Sequence, residues 1–297
     1  MSCLAGFSLA SAVVAFAQGS PGTPKESPAR GQVEQLIRQA HSDVSLAFRS
    51  LDGTQQLFLK ADTEFSATPS VMQLPIMIEL FEEARAGELR LSDTIVVNND
   101  FQSLLDGESY RLDPKTDPDQ DLYKSIGKAM TLRDICEHMM ARNSSLAADL
   151  LIEKLGADRI RRRIENLRAG GIQLNRGIEP DKPNDIRPDN AASAHGMFEL
   201  LWSLAQGQSN GDEASTEMVG MMARAAYSQL PTAGMPPDPR AAQSTRLAAI
   251  GQNAMIVYGP HPFVVVIVVR GIANLEARAE LVALIEHALA AGLDATA

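Results

Sequence analysis

The sequence predicts an α/β chain of the α+β kind: one five-stranded antiparallel sheet flanked by the terminal helices, plus an all-helical lobe. Three observations carry that expectation. Strand-like runs gather at the two ends of the chain, at 43–49 and 55–60 and again at 241–248, 253–258 and 263–270. From Ser70 to Gln206 the apolar residues mostly recur at helical spacing. A last amphipathic run, 273–291, returns to the sheet, with Leu275, Ala279, Val282, Ile285 and Leu289 at steps of 4, 3, 3 and 4.

Taken in order, Leu4 to Ala17 is apolar and small and ends Ala15-Phe16-Ala17 before Gln18. Small side chains at those places suit a signal-peptidase pocket, so 1–17 reads as an export signal, although no Lys or Arg precedes it. Secretion or a periplasmic location follows as an expectation. The polar, Pro-rich stretch that follows makes 18–29 a flexible lead-in. The rest, 30–297, reads as a single domain, with a sheet lobe over about 30–65 and 212–297 and a helical lobe over about 66–211.

Arg30 to Ala40 carries Val33, Leu36 and Ile37 on one helix face. Asp52-Gly53 between two alternating runs is a hairpin signal, because Gly accepts the positive φ such turns need. Helices are expected at 70–86, 131–142, 145–155, 157–168 and 191–206. Phe263-Val264-Val265-Val266-Ile267-Val268-Val269 is apolar on both faces and should be a central strand covered on both sides.

Composition narrows the function. The net charge is −10, and the densest basic run, Arg159 to Arg163, lies between Asp158 and Glu165, so it reads as a solvated helix face. Nucleic acid is not expected as a partner, since phosphate binding needs a basic surface. No apolar run reaches the roughly 20 residues of a spanning helix, so no stable membrane insertion is expected after signal cleavage. The five His residues lack ligand spacing and no Gly-rich phosphate loop is present, so neither a metal nor another cofactor is expected. Removing Cys3 with the signal would leave Cys136 unable to form an internal bridge. Cys136 and His138, two apart on a helix, point different ways, so a buried core thiol is the better reading than a nucleophile.

The chemistry-bearing segments come in a recognisable order. Phe65-Ser66-Ala67-Thr68-Pro69-Ser70-Val71-Met72-Gln73-Leu74-Pro75-Ile76 opens the helical block. Asp106-Gly107-Glu108-Ser109-Tyr110-Arg111-Leu112-Asp113-Pro114, Leu122-Tyr123 and Gly127 follow, then Met139 to Gly156, then Arg176-Gly177-Ile178-Glu179. Gly234-Met235-Pro236, Tyr258-Gly259-Pro260 and Val268-Val269-Arg270-Gly271 complete the series. In order and spacing this resembles the class A serine β-lactamases, over about residues 30 to 292. The resemblance implies acyl transfer through serine in a cleft between two lobes, with a small-molecule β-lactam or a cell-wall peptide as partner.

It also implies site residues, and several depart from the family pattern. Ser70 takes the nucleophile position of S-x-x-K, but the Lys position is Gln73. A serine hydroxyl needs a base to become nucleophilic, and a neutral amide cannot take its proton. The S-D-N position reads Asn143-Ser144-Ser145, where Asn143 cannot shuttle a proton as a hydroxyl does and Ser145 is a shorter substrate contact than Asn. The K-T-G position reads Ser244-Thr245-Arg246: the cation is lost at Ser244, a hydroxyl is kept at Thr245, and Arg246 replaces a Gly. Glu179 corresponds to the omega-loop Glu that activates water, although Arg176 stands three residues before it and Asn184 five after, against two and four in the family. Each retains a plain alternative: Ser70 as a helix N-cap, Thr245 as a strand residue, Glu179 as a surface acid in a Pro-rich loop.

Three functions fit: a serine hydrolase of reduced activity, a non-catalytic pseudoenzyme binding a cell-wall fragment or a partner protein, and a carboxypeptidase-like penicillin-binding enzyme.

Overall fold

A computed structural model describes residues 23–67, 69–180, 188–207, 212–229, 246–250, 254–258 and 261–295. The elements run β1 (Lys25–Glu26), α1 (Arg30–Gln39), β2 (Asp43–Ser50), β3 (Gln55–Leu59), β4 (Glu64–Ser66) and α2 (Pro69–Ala86). Then come β5 (Thr94–Val96), β6 (Phe101–Gln102), β7 (Ser109–Tyr110), α3 (Gln120–Tyr123), β8 (Ala129–Thr131), α4 (Leu132–Arg142), α5 (Ser145–Leu155) and α6 (Ala157–Asn166). The chain ends with β9 (Ala191–Ser193), α7 (Ala194–Ala205), α8 (Asp212–Gln229), β10 (Arg246–Ile250), β11 (Ala254–Tyr258), β12 (Phe263–Arg270) and α9 (Leu275–Asp294).

The main sheet joins both ends of the chain in the order β1-β3-β2-β12-β11-β10. The five expected strands are antiparallel to their neighbours, and the hairpin register sets Ala47 against Phe58 and Arg49 against Gln56. One expectation is corrected: among the described residues the main sheet has six strands and is mixed, because β1 pairs in parallel with β3, Lys25 opposite Gln55. Part of the stretch read as a flexible lead-in therefore edges the sheet, and Ser27 and Ala29 behind it are buried. Composition could not show this, since a two-residue strand leaves no periodicity.

β12 is central and buried on both faces, as its unbroken apolar run requires. Val265, Ile267 and Val269 face α1 and α9 together with Leu46, Phe48 and Leu57. Val264 and Val266 face the other way, into a core shared with α7 and the helical lobe.

α2 is the axis of the helical lobe. Met72, Leu74, Ile76, Met77, Ile78, Leu80 and Phe81 are all buried, an apolar surface wide enough to place the helix centrally. It packs against α4, α5, α6, α7 and α8. Pro75 lies inside it and has no N–H to give to the Val71 carbonyl.

Other boundaries shift. The helix expected at 191–206 begins at Ala194, because Ala191–Ser193 forms β9 against β4. Residues 212–229, given no element from sequence, form α8, which packs on both α4 and β10. The described strand nearest 241–248 is Arg246–Ile250, and residues 241–245 lie outside the described residues. So does the expected export signal, 1–17. The basic run on α6 is not simply solvated. Arg159 pairs with Glu83, and Arg163 meets Glu79 at 2.9 Å and Glu82 at 3.4 Å, all acids of α2. No described helix is long and apolar enough to cross a membrane.

Candidate active site

Ser70 is the second residue of α2, behind Pro69, whose fixed φ and missing N–H suit a first helical position. Ser70 therefore stands in the first turn rather than at the cap. Gln73 follows on the same face one turn later and is only 3% exposed. Its Nε2 donates to Asn143 Oδ1 at 2.7 Å. Where the resemblance calls for a Lys beside a hydroxyl, two neutral amides bind each other.

The turn that presents Asn143 is built by local chemistry. Asn143 ends α4 in the left-handed region, φ 58°, which Asn tolerates better than most residues. Ser144 then caps α5, its Oγ accepting from Ala147 N at 3.3 Å, and it is fully buried. A buried capping hydroxyl is not a free shuttle, so sliding the motif by one residue to use Ser144 gains nothing. Ser145 is the first residue of α5 and half-buried. Asp117 holds this corner from the side: its Oδ2 accepts from Leu146 N at 2.9 Å and from the Tyr123 hydroxyl at 3.1 Å.

Glu179 is 7% exposed, so the reading of a surface acid does not hold. Ser103 Oγ donates to its Oε1 at 3.1 Å, and Arg176 Nε lies 3.9 Å from the same oxygen. Arg176 also donates from Nη2 to the Glu179 carbonyl at 2.7 Å and pairs with Asp189 at 3.1 Å. Asn190 closes the base of the loop, accepting from Asn175 N and Arg176 N and donating to the Arg176 carbonyl. The displaced Arg thus still reaches the carboxylate. Asn184 lies outside the described residues.

The Glu179 loop is docked on α5. Asp149, one turn after Ser145 on the same face, accepts from Ile178 N at 2.7 Å and from the Tyr110 hydroxyl at 3.0 Å. Asp149 is 2% exposed, and burial pushes its carboxyl up to about 7, against the lowering effect of those two donors. Burial and the Asp149 carboxylate push the Tyr110 phenol up as well. Gly177 permits the close approach: a Cβ there would lie 2.5 Å from the Tyr110 hydroxyl and 3.0 Å from Asp149 Oδ1.

Gln73 and Asn143 thus come together through α2 and the end of α4, with Ser70 one turn before Gln73 on α2, while Ser145 lies on α5 and the Glu179 loop docks on the same helix. Ser244 and Thr245 lie outside the described residues. The backbone of Arg246 opens β10 opposite Tyr258. Cys136 is wholly buried and its thiol is pushed up by burial, while His138 turns away to Asp119. The sequence reading missed Asp117, Asp149, Ser103 and Asn190. They belong to no catalytic motif, and the one available signal was an acid, Asp149, on the apolar face of α5.

The comparisons bear on the fold and the family. The model of the β-lactamase enzyme family matches residues 28–291. No curated protein matches the sequence. Among solved structures, a β-lactamase from Sphaerobacter thermophilus DSM 20745 is 19% identical, with 88% of this chain and 94% of that one covered and a TM-score of 0.68. An ancestral class A β-lactamase is 18% identical, with 89% and 99% covered and a TM-score of 0.68. A mutant of PBP-A, solved as an acyl-enzyme complex with penicillin G, is 17% identical, with 92% and 99% covered and a TM-score of 0.66. Those structures share the fold, and the family model spans nearly the whole chain: this protein belongs to the β-lactamase enzyme family.

Proposed function

We propose that this is an exported protein of the class A β-lactamase type whose cleft binds β-lactams or related cell-wall peptides, with acyl transfer at Ser70 strongly reduced. The observation that carries the proposal is the 2.7 Å bond from Gln73 to Asn143. It puts two hydrogen-bonded neutral amides where the family chemistry needs a proton acceptor and a proton shuttle. A single positioned acid or base contributes about 10²–10⁴-fold, and groups acting as one unit do not lose independently.

The buried carboxylate of Glu179, with Ser103 and Arg176 on it, supports the view that a water-activating group is kept. A relay from Ser70 through water to Glu179 would then leave slow acylation rather than none. The neighbour carrying a penicillin acyl group supports β-lactams as the probe class. The test pairs equilibrium binding of penicillin G with turnover of a chromogenic cephalosporin. Saturable binding with turnover at least about 10²-fold below an intact S-x-x-K enzyme is expected. Turnover equal to such an enzyme overturns the proposal.

A further inference from the structure

We infer that a second ligand site, for a small organic carboxylate, lies toward the opposite edge of the sheet from the K-T-G strand. A cavity of about 660 Å³ opens where β2 and β3 meet the start of α7. Arg49, Gln56, Phe58, Lys60, Asp62 and His195 line it. That size lies within the roughly 300–1,000 Å³ of small-molecule sites. In the sheet order β3 is four strand steps from β10, about 19 Å at the usual spacing. The cavity is therefore separate from the cleft of the proposed acyl transfer.

The charges around it are unequal. Lys60 pairs with Asp43 at 2.7 Å, and His195 Nδ1 meets Asp62 at 2.7 Å. Arg49 has no carboxylate among the described residues. Its guanidinium lies 5.1 Å from the Trp202 ring and 5.6 Å from each of the Phe58 and Phe198 rings. One Nη2 hydrogen goes to Gln56 Oε1 at 2.9 Å, and Nε is buried without a partner. The other Nη hydrogens remain for a ligand.

Aromatic faces hold a cation in place but do not neutralise it. Contact with three rings, two of them nearly perpendicular, restricts the side chain before any ligand arrives, which removes part of the ordering cost of binding. A half-buried, fixed guanidinium with unused donors suits a carboxylate, which accepts two parallel hydrogen bonds. The Phe58 ring on the same wall suits a flat apolar body behind that carboxylate. Aromatic and short aliphatic acids fit both features, whereas phosphate fits only the charge.

The probe is benzoate, titrated calorimetrically into the full chain, with inorganic phosphate in parallel. The guanidinium resonance of Arg49, followed by NMR, reports contact at the site. Benzoate is expected to saturate a single site, shift the Arg49 resonance and bind more tightly than phosphate. Arg49→Lys keeps the charge but loses the fork, and Arg49→Gln loses both. Each should weaken benzoate by about tenfold or more, the loss expected for a charge-assisted hydrogen bond. If Arg49→Gln fails to fold, Arg49→Lys and the wild-type resonance still decide. The inference is overturned if benzoate never saturates, if the Arg49 resonance does not move, or if Arg49→Lys binds benzoate as the wild type does. Tighter binding of phosphate than of benzoate overturns the carboxylate assignment.

Discussion

Gln73 and Asn143 lie 70 residues apart in sequence and share one hydrogen bond, Nε2 to Oδ1 at 2.7 Å. The bond ties the start of the central helix to the bend that ends α4. The bond uses one donor of Gln73 and the acceptor oxygen of Asn143, and a neutral amide at either position cannot take a proton from Ser70.

Restoring Lys at position 73 alone is expected to harm the protein. Gln73 is 3% exposed, and the residue facing it is an amide, not a carboxylate. Gln73→Lys should cost about 1–3 kcal/mol, the penalty for a buried group left poorly satisfied, with no gain in lactam turnover. Urea denaturation beside a chromogenic cephalosporin assay checks both; a stable, active single variant would contradict the expectation.

The cleft should respond to the full set of family residues. Gln73→Lys with Asn143→Ser, Ser145→Asn, Ser244→Lys and Arg246→Gly restores the base, shuttle, amide contact, anchor and close backbone approach. Turnover is expected to rise by about 10²-fold or more over the starting protein. A well-folded five-site variant with no gain would mean that the cleft's shape has diverged along with its groups.

Asp149 should make stability fall as pH rises. Its folded value of about 7 lies above the ordinary 3.8, so between those values the folded state holds the proton that the unfolded state has lost. The slope of stability with pH is then negative over that window and flattens above about 7. At 1.36 kcal/mol per pH unit the total is at most roughly 4 kcal/mol. Asp149→Asn keeps an acceptor for Ile178 N and can donate to Tyr110. It should remove the slope and be more stable than the wild type at pH 8, as read by denaturation across pH.

The loop of Glu179 should loosen when Gly177 gains a methyl group. Gly177→Ala places Cβ 2.5 Å from the Tyr110 hydroxyl, so the loop must lift off α5. A loss of about 1–3 kcal/mol is expected, typical of overpacking, with faster hydrogen exchange confined to residues near 176–180. Unchanged exchange there would mean that the loop does not depend on this contact.

Most of the fold was legible because most of its signals are periodic. The double-sided run 263–269 announced a central strand, and Asp52-Gly53 announced the hairpin, with Gly53 at φ 72°. β1 was not legible, since its two residues are held by the β3 edge rather than by their own pattern. α8 was missed although Met218, Met221 and Met222, all buried, stand at helical spacing. At the site, Ser70, Gln73 and Asn143 could be named from motif order. The bond between Gln73 and Asn143 could not, because sequence gives positions on a helix but not which amide meets which. The loop supports were hidden for the opposite reason: Asp149 and Asn190 act through single backbone groups that no spacing rule encodes.

The most direct test of reduced acyl transfer at Ser70 is the intact-protein mass after mixing with penicillin G, followed from seconds to hours. An acyl adduct that is absent at seconds and builds only slowly, at one per chain and lost in Ser70→Ala, is the result expected from a nucleophile that has Gln73 where a basic Lys would stand. A complete adduct within seconds, or rapid release of hydrolysed penicillin, would contradict it.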